Sequence, residues 1–339
     1  MSLRFAFAGF RHGHIFSLLG RVHQDPACEL VAACEPDAAT RVELAASGKV
    51  EITHESLADL LADTPCDVVA IGDYYGARGD LAIQALEAGK HVVVDKPLCT
   101  SLDELNRIES LAKAKGLAVG CQLDMRAGPT RQTLHRIVQS GEIGEVLTVS
   151  FSGQHPLMYG SRADWYFQPG CHGGTINDIG IHAMDLIPWV TGREITEVTA
   201  ARAWNGKTPQ APHFDDCGQM MLRLDNGGGV LGDVSYLAPD ACGYSQRQYW
   251  RFTIHGTKGV AEIRGGDPNV MVANHTDKEP REIPGEASPN ARDYFADFRA
   301  CAEGRPEEAD LTTALVLRAA RLALTVQHAA EQGLTQVAL

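Results

Sequence analysis

Short apolar runs alternate with amphipathic segments along the first 124 residues. Residues 3–9 form the first run, and after it apolar residues recur at helical spacing, namely Ile15, Leu18, Leu19 and Val22. The pattern then repeats, with strands predicted at residues 30–34, 67–71, 91–94 and 117–121 and helices at residues 38–46, 56–61, 80–87 and 101–115. Strands that alternate with helices predict an α/β fold with a doubly wound parallel sheet.

Strands dominate after residue 124. The glycine-rich turn at residues 225–229 lies between two apolar runs, as in a hairpin, and residues 256–259 lie between two more. We predict strands at residues 146–151, 219–224, 230–237, 250–255 and 260–264, helices at 129–140, 291–302 and 311–332, and little regular structure at 265–290. This predicts an α+β domain with a mostly antiparallel open sheet at residues 125–339.

The composition and net charge of the chain limit the kinds of molecule that it can bind. The chain has 339 residues, 44% of them hydrophobic, and a net charge of -13, which argues against nucleic acid or an anionic membrane as partner. No apolar run is long enough to span a membrane, and the N-terminus does not have the pattern of a secretion signal. Nine cysteines without a Cys-x-x-Cys pair predict reduced thiols and a cytoplasmic protein.

A turn between the first strand and the first helix lies where a dinucleotide fingerprint belongs. Only the first glycine of Gly-x-Gly-x-x-Gly is in place, and Arg11 occupies the second position. Helix N-termini bind phosphate through backbone N–H groups. Arg11 can add a charged contact, or its bulk can block the approach that glycine permits. The candidate cofactor contacts of this turn are Gly9, Phe10, Arg11, His12, Gly13 and His14.

Two charged residues end predicted strands of the same domain. Glu35 follows the second strand, where an acid holds the adenosine ribose hydroxyls and repels a 2′-phosphate, so NAD is favoured over NADP. The alternative is an exposed strand-end acid. Lys96 follows the fourth strand, where ligands of open α/β sheets bind, and can polarise a substrate oxygen or move a proton. The alternative is a solvated surface lysine.

The segment 170–185 contains several candidate catalytic or metal-binding residues close together in sequence. Asp178, His182 and Asp185 recur at intervals of four and three, which places them on one face of a predicted helix. A carboxylate that orients a histidine leaves that histidine able to transfer a proton. Two alternatives remain open from spacing alone: a buried structural His/Asp pair, and metal ligation by Asp178 and His182.

Together these motifs resemble the Gfo/Idh/MocA family of NAD(P)-dependent oxidoreductases. The resemblance covers most of the chain, through residues 85–92, Asp95-Lys96-Pro97, Arg126, Pro129 and residues 140–146. It is most specific at Gly173-Gly174 with Asp178, His182 and Asp185. The chain departs from the family at the glycine turn and at Asp73-Tyr74-Tyr75 and Arg78, which replace the usual Thr-Pro-Asn and histidine.

The resemblance implies an NAD(P)-dependent enzyme that oxidises a secondary hydroxyl of a sugar, polyol or inositol. It implies a Rossmann dinucleotide-binding domain at residues 1–124 and a substrate-binding and oligomerisation domain at 125–339. The implied catalytic residues are Lys96, Asp178 and His182, with His182 as the base, Lys96 on the substrate oxygen and Asp178 orienting His182 or a substrate hydroxyl. Further implied cofactor contacts are Asp73, Tyr74, Tyr75, Arg78, Asp95, Lys96 and Pro97. Candidate substrate contacts are Lys96, Arg126, Tyr159, Trp165, Asn177, Asp178 and His182.

Two other classes of protein remain as alternatives. A metal-dependent hydrolase would use His12, His14, Asp178 and His182 as ligands, whereas the oxidoreductase needs no metal. A non-catalytic nucleotide or sugar sensor would explain the irregular glycine turn. We expect a sugar or polyol as the small-molecule partner, no nucleic acid or membrane partner, and a homodimer or homotetramer.

Overall fold

The first of two compact units contains a five-stranded parallel sheet. The computed structural model describes residues 2–339, and this unit comprises the chain up to Gln122 together with Tyr294–Arg318. Its strands are β1 (Leu3–Ala8), β2 (Cys28–Cys34), β3 (Val68–Ile71), β4 (His91–Val94) and β5 (Val119–Cys121), in the order β2-β1-β3-β4-β5. All neighbouring strands are parallel. The predicted doubly wound fold is confirmed.

Helices connect these strands. They are α1 (Ile15–Gln24), α2 (Ala38–Ser47), α3 (Leu57–Asp63), α4 (Tyr75–Glu87) and α5 (Leu102–Lys115), and α8 (Tyr294–Ala302) belongs to the same unit. Ser101 and Glu104 form a capping box at the start of α5, and Gly116 ends that helix in the left-handed region, as the sequence predicts. Phe295 and Phe298 of α8 pack against Phe5 of β1.

The second unit contains a nine-stranded sheet and comprises Leu123–Asp293 and Ala319–Leu339. Its strands are β6 (Val146–Pro156), β7 (Ile195–Trp204), β8 (Cys217–Leu224), β9 (Gly229–Ala238), β10 (Arg251–Gly256), β11 (Gly259–Ile263), β12 (Asn269–Asn274), β13 (Arg281–Pro284) and β14 (Thr335–Ala338). Their order is β13-β12-β11-β10-β6-β9-β8-β7-β14. Only the β6–β9 pair is parallel, so the predicted mostly antiparallel sheet is confirmed.

The helices of this unit are α6 (Pro129–Gln139) and α7 (Ile181–Thr191), and α9 (Thr313–Gln332) supplies its residues from 319 onward. One turn of π-helix, Ile176–Gly180, leads directly into α7. No helix among residues 2–339 is both long enough and apolar enough to cross a membrane.

Several predictions of local structure were wrong. Helix α4 begins at Tyr75 rather than at residue 80, and before Ala82 it buries Tyr75, Arg78 and Gly79 rather than a run of aliphatic side chains. Strand β6 extends to Pro156, five residues beyond the predicted end at 151. Residues 265–290 contain β12 and β13, which continue the antiparallel sheet beyond β11. The functional division of the chain at residue 124 stays a prediction.

Candidate functional site

The turn after β1 approaches the end of β3 closely. Gly9 has φ +78°, and a Cβ on it would lie 2.4 Å from the Cβ of Asp73. A Cβ on Gly72 would lie 2.3 Å from the Cβ of Ile15 in the first turn of α1. By contrast, nothing lies within 4 Å of a Cβ placed on Gly13. Glycine is therefore required at position 9 in the turn after β1 and at position 72 just after β3. It is not required at position 13.

Arg11 occupies the second glycine position of the fingerprint and is held by two neighbours. Its Nη2 donates to Asp73 Oδ2 at 2.9 Å, and its guanidinium lies 4.3 Å from the centre of the Tyr74 ring. Burial lowers the pKa of Arg11, but the hydrogen bonds and charge of Asp73 outweigh it, so the pKa is raised. Arg11 is thus a fixed positive charge beside the N-terminus of α1.

Glu35 at the end of β2 is fully buried, so it is not the exposed strand-end acid of the alternative. Its Oε2 accepts a hydrogen bond from the Phe10 N–H at 2.6 Å, and its Oε1 accepts one from the Asp37 N–H at 2.8 Å. Burial raises the pKa of Glu35, and the two backbone hydrogen bonds oppose that rise. Glu35 therefore joins the glycine turn to the end of β2.

Arg78 organises the end of β4 from the first turns of α4. It is fully buried; its Nε donates to the carbonyl of Asp73 at 2.8 Å, and its Nη1 donates to the carbonyl of Asp95 at 2.9 Å and to that of Pro97 at 3.2 Å. Its Nη2 donates to Asp95 Oδ2 at 2.9 Å. These contacts fix the backbone on both sides of Lys96.

A histidine, a carboxylate and a tyrosine form a hydrogen-bonded chain beside Arg78. His12 Nδ1 hydrogen-bonds to Asp95 Oδ2, and the hydroxyl of Tyr75 lies 3.3 Å from His12 Nε2. Because a carboxylate can only accept, Nδ1 of His12 carries the proton and Tyr75 donates to Nε2. Burial lowers the pKa of His12 to about 4 against the opposing charge of Asp95. Burial raises the pKa of Asp95, but Arg78 and His12 hold it well below its usual value.

Lys96 is 6% exposed, so it is not the solvated surface lysine of the alternative. Its Nζ lies 5.9 Å from the centre of the Tyr75 ring. Burial removes the hydration of an ammonium group at a cost in free energy, so buried lysines are uncommon.

In the second unit, paired glycines lead into the π-helical turn. Gly173 and Gly174 have φ of +75° and +93°, and a Cβ on Gly174 would lie 2.1 Å from the side-chain amide carbon of Gln327. Gln327 Oε1 accepts hydrogen bonds from the N–H groups of Ile176 at 2.9 Å and Asn177 at 3.2 Å. Gln327 of α9 thus caps the turn that carries Asp178, and π-helical turns are frequent at functional sites.

Asp178 belongs to a buried cluster with two residues that the sequence analysis missed. The Tyr236 hydroxyl donates to Asp178 Oδ2, and His172 Nε2 lies 3.1 Å from that hydroxyl and 3.7 Å from Asp178 Oδ2. Since the tyrosine proton goes to Asp178, His172 Nε2 is the donor to Tyr236. Burial, and then the charge of Asp178, raise the pKa of Tyr236 well above its usual value.

His182 and Asp185 have different neighbours from Asp178, although all three side chains are buried. The His182 ring packs edge-on against Trp250, with ring centres 5.4 Å apart. Asp185 accepts from Arg126 Nε, with its two oxygens at 3.0 and 3.1 Å. The contacts described for Asp178 and Asp185 thus lead to separate partners, and the orientation of His182 by Asp178 stays a prediction.

The remaining candidate substrate contacts differ in burial. Tyr159 is exposed and lies against Phe167, with ring centres 4.8 Å apart. Trp165 is buried and stacks on Tyr166 at 4.2 Å, and Arg162 lies 4.4 Å over the same Tyr166 ring. Asn177 is buried in the π-helical turn. Trp165 and Asn177 therefore have packing roles whatever else they do, and their substrate contacts stay predictions.

Loss of the Tyr236 hydroxyl should destabilise the second unit. Tyr236→Phe leaves the buried Asp178 carboxylate without this donor, which typically costs about 1–3 kcal/mol of unfolding free energy. Urea unfolding measures the difference. Tyr244→Phe, at an exposed tyrosine, is the matched control and should stay within about 0.5 kcal/mol of the unmodified protein. Equal stability of both variants would show that the Tyr236–Asp178 hydrogen bond contributes nothing.

Metal-ligating side chains come together in the first unit. In the part of the chain that the structure describes, one group of three such residues has its ligand atoms within 4.8 Å of one another: His12, His14 and Asp95. Neither Asp178 nor His182 belongs to such a group among these residues.

Both halves of the chain match profiles of one oxidoreductase family. Residues 3–123 match the profile described as the oxidoreductase family with an NAD-binding Rossmann fold. Residues 131–262 match the profile described as the GFO/IDH/MocA C-terminal domain. A parallel dinucleotide-type domain followed by a mostly antiparallel domain is the architecture of this class. The chain belongs to the Gfo/Idh/MocA oxidoreductase family, which confirms the resemblance seen in the sequence.

Individual relatives agree with this assignment. The chain is 27% identical over 240 residues to scyllo-inositol 2-dehydrogenase (NAD(+)) of Bacillus subtilis, covering 69% of this chain and 66% of that protein. It is 26% identical over 259 residues to levoglucosan dehydrogenase of Pseudarthrobacter phenanthrenivorans, covering 69% of this chain and 64% of that protein. The alignments thus span slightly less than two thirds of these relatives.

A solved structure shares the fold over the whole chain. The WlbA dehydrogenase of Bordetella pertussis, determined in complex with NADH and UDP-GlcNAcA, superposes with a TM-score of 0.80. At 20% identity it covers 100% of both chains. This likeness shows the arrangement of elements, whereas reaction and substrate have to be argued from the residues of this chain.

Proposed function

We propose that the protein is an NAD-dependent dehydrogenase that oxidises a secondary hydroxyl of a sugar, polyol or inositol. The observation that carries the proposal is the burial of Lys96 at the carboxyl end of β4. The residue is 6% exposed, and Arg78 fixes the backbone on both sides of it through the carbonyls of Asp95 and Pro97. A desolvated, pre-positioned ammonium group is suited to stabilise charge that develops on a substrate oxygen. The relatives named as inositol and levoglucosan dehydrogenases support the substrate class.

The residues of the first unit fit a dinucleotide. The requirement for glycine at position 9 keeps the turn tight, and the positive end of the α1 dipole at Ile15 favours a phosphate. Arg11, held by Asp73, adds a positive charge at that end. Glu35 accepts one N–H at each oxygen, and a carboxylate has about four acceptor sites, so it retains capacity for the ribose hydroxyls. Bound NAD would supply the hydride acceptor.

In the proposed reaction the carbinol C–H bond breaks with its electron pair, which leaves as hydride. The hydroxyl O–H bond breaks as His182 takes the proton, and the carbon–oxygen bond becomes a carbonyl. Lys96 stabilises the alkoxide-like oxygen during this change. Asp178, fixed by Tyr236 and His172, accepts a hydrogen bond from His182 or from a neighbouring substrate hydroxyl. In the reverse direction the same groups return the proton.

The test of this proposal is a panel of sugars, inositols and other polyols assayed for NAD reduction. At least one member should reduce NAD with saturation kinetics, and the corresponding ketone should oxidise NADH. The sensor alternative predicts a different result: the protein would bind NAD and a panel member, yet no member would be turned over in either direction.

Nucleotide choice gives a separate prediction. NAD should raise the melting temperature more than NADP at equal concentration, because Glu35 repels a 2′-phosphate and ligand binding stabilises the folded state. Glu35→Gln keeps the shape and removes the charge, so it should narrow the difference between the two nucleotides. A larger shift with NADP, or an unchanged difference in Glu35→Gln, would remove Glu35 from the ribose site.

We also propose self-association through the nine-stranded sheet. Met221 of β8 and Leu231 of β9 are paired in register, 48% and 56% exposed, and form an apolar patch on the outside of the sheet. An exposed apolar sheet surface is a typical homo-oligomer interface. Sedimentation should give a dimer or tetramer, and Met221→Glu should shift the protein to a monomer.

The nine free cysteines fit the further proposal of a cytoplasmic location.

A further inference from the structure

The group formed by His12, His14 and Asp95 has a feature that the dehydrogenase chemistry does not use. Asp95 is fully buried, and its Oδ2 is engaged by Arg78 and His12. Its Oδ1 is also buried and makes no hydrogen bond of standard geometry with any residue between 2 and 339; its polar neighbour is His14 Nδ1. A buried carboxylate oxygen without a well-formed hydrogen bond carries a desolvation cost, which a bound cation would remove.

Distances within the group suit a cation at that oxygen. His14 Nδ1 lies 3.4 Å from Asp95 Oδ1. In a tetrahedral zinc site with bonds of 2.0–2.2 Å, neighbouring ligand atoms are about 3.3 Å apart. The side chain of His14 is 59% exposed, so it can adjust its position and leaves one side of the group open to solvent.

We propose that His12 Nδ1, His14 Nδ1 and Asp95 Oδ1 bind a divalent transition metal of the zinc type. Two imidazole nitrogens and one carboxylate oxygen are a ligand set that zinc accepts, and water would complete a tetrahedral site. This revises the expectation that the protein needs no metal. The site includes none of the proposed catalytic residues Lys96, Asp178 and His182, but its three ligands are also candidate cofactor contacts.

Tyr75 lies on the far side of the His12 ring from the proposed metal. A metal at Nδ1 displaces the proton that His12 gives to Asp95, so the ring proton moves to Nε2. The Tyr75 hydroxyl, 3.3 Å from Nε2, then accepts that proton's hydrogen bond. A metal-bound histidine usually donates its second ring N–H in this way, which fixes the ring orientation. Arg78 keeps its hydrogen bond to Asp95 Oδ2 and does not compete for Oδ1.

Cobalt(II) titration of the chelator-treated protein tests the proposal, because tetrahedral cobalt has visible absorption bands. The wild-type protein should develop these bands and saturate at one equivalent. His14→Gln removes a ligand at an exposed position, and it should weaken cobalt binding at least about tenfold, since even changes around the ligands cost 10–100-fold. His23→Gln, at an exposed histidine of α1, is the matched control and should bind as the wild type does.

Zinc provides a second readout that does not depend on activity. It should raise the melting temperature of the wild type and of His23→Gln, and not that of His14→Gln. Asp95→Asn removes the counter-charge of buried Arg78 and is expected to unfold the unit, so the test relies on His14→Gln. The proposal is overturned if the wild type shows no saturable cobalt bands, or if His14→Gln binds cobalt as tightly as the wild type.

Discussion

Replacement of Lys96 by alanine should lower turnover a hundredfold or more. The ammonium group is proposed to stabilise the oxygen on which charge develops, and loss of one pre-organised donor typically costs roughly 3 kcal/mol of transition-state stabilisation. NAD affinity should change far less, because phosphate and ribose are assigned to other residues. Steady-state kinetics with the best substrate of the polyol panel, together with NAD titration, separate the two effects.

The matched control for this prediction is Lys113→Ala, which removes an exposed lysine of α5 and should leave kcat unchanged. Alanine at position 96 also creates a cavity, so circular dichroism and the melting temperature have to show that the variant is folded. Near-normal kcat in folded Lys96→Ala would mean that the buried ammonium group takes no part in the reaction.

Replacement of His182 by asparagine should abolish most turnover while the protein still folds and binds NAD. Asparagine keeps a hydrogen-bonding group of similar reach but cannot take a proton at neutral pH. In the wild type, oxidation should rise with pH as the imidazole loses its proton, and this limb of the profile should disappear in the variant. The pH dependence of kcat/KM for both proteins provides the measurement.

His275→Asn, at an exposed histidine of the same unit, is the control and should retain both activity and pH profile. A purely structural His182 predicts the opposite of our account: His182→Asn would melt earlier and keep its turnover per folded molecule. If His182→Asn stays active and keeps the pH limb, the proton acceptor is another group, and Lys96 is the first candidate.

Most of the first unit could be predicted because its strands are short, apolar and separated by amphipathic helices. The start of α4 escaped prediction for a physical reason. Gly79 lies where a Cβ would be 2.3 Å from the side-chain carboxyl carbon of Glu104, so α4 approaches α5 at a glycine. Arg78, one position earlier, is buried against the backbone of Asp95 and Pro97 instead of forming part of an apolar stripe. Hydrophobic periodicity cannot indicate such a contact.

In the second unit, β7 was missed because its pairing with β8 contains two register shifts, which break the alternation of inward and outward residues. Strand β12 was missed although Val270 and Val272 alternate and are buried. The alternating pattern of a strand was present in β12, but the surrounding polar residues and prolines led to a prediction of irregular structure.

Candidate site residues could be predicted only where they lie in local motifs. Lys96, Asp178 and His182 stand in recognisable segments, and all three are buried; their catalytic roles stay predictions. Gln327 and Tyr236 reach Asn177 and Asp178 from 150 and 58 positions further along the chain. For Tyr236 a signal existed, because it continues the inward positions Val230 and Val234 of β9. No local pattern indicates Gln327, whose role depends on tertiary packing against Gly174.

Isotope transfer tests the central claim most directly. A polyol from the panel, deuterated at its carbinol carbons, is incubated with the protein and NAD, and the nicotinamide product is analysed by mass spectrometry and NMR. Our account predicts one deuterium on C4 of the reduced nicotinamide for each hydroxyl oxidised, with none lost to solvent. Oxidised product with its deuterium in water, or no labelled NADH from a protein that binds NAD, would contradict it.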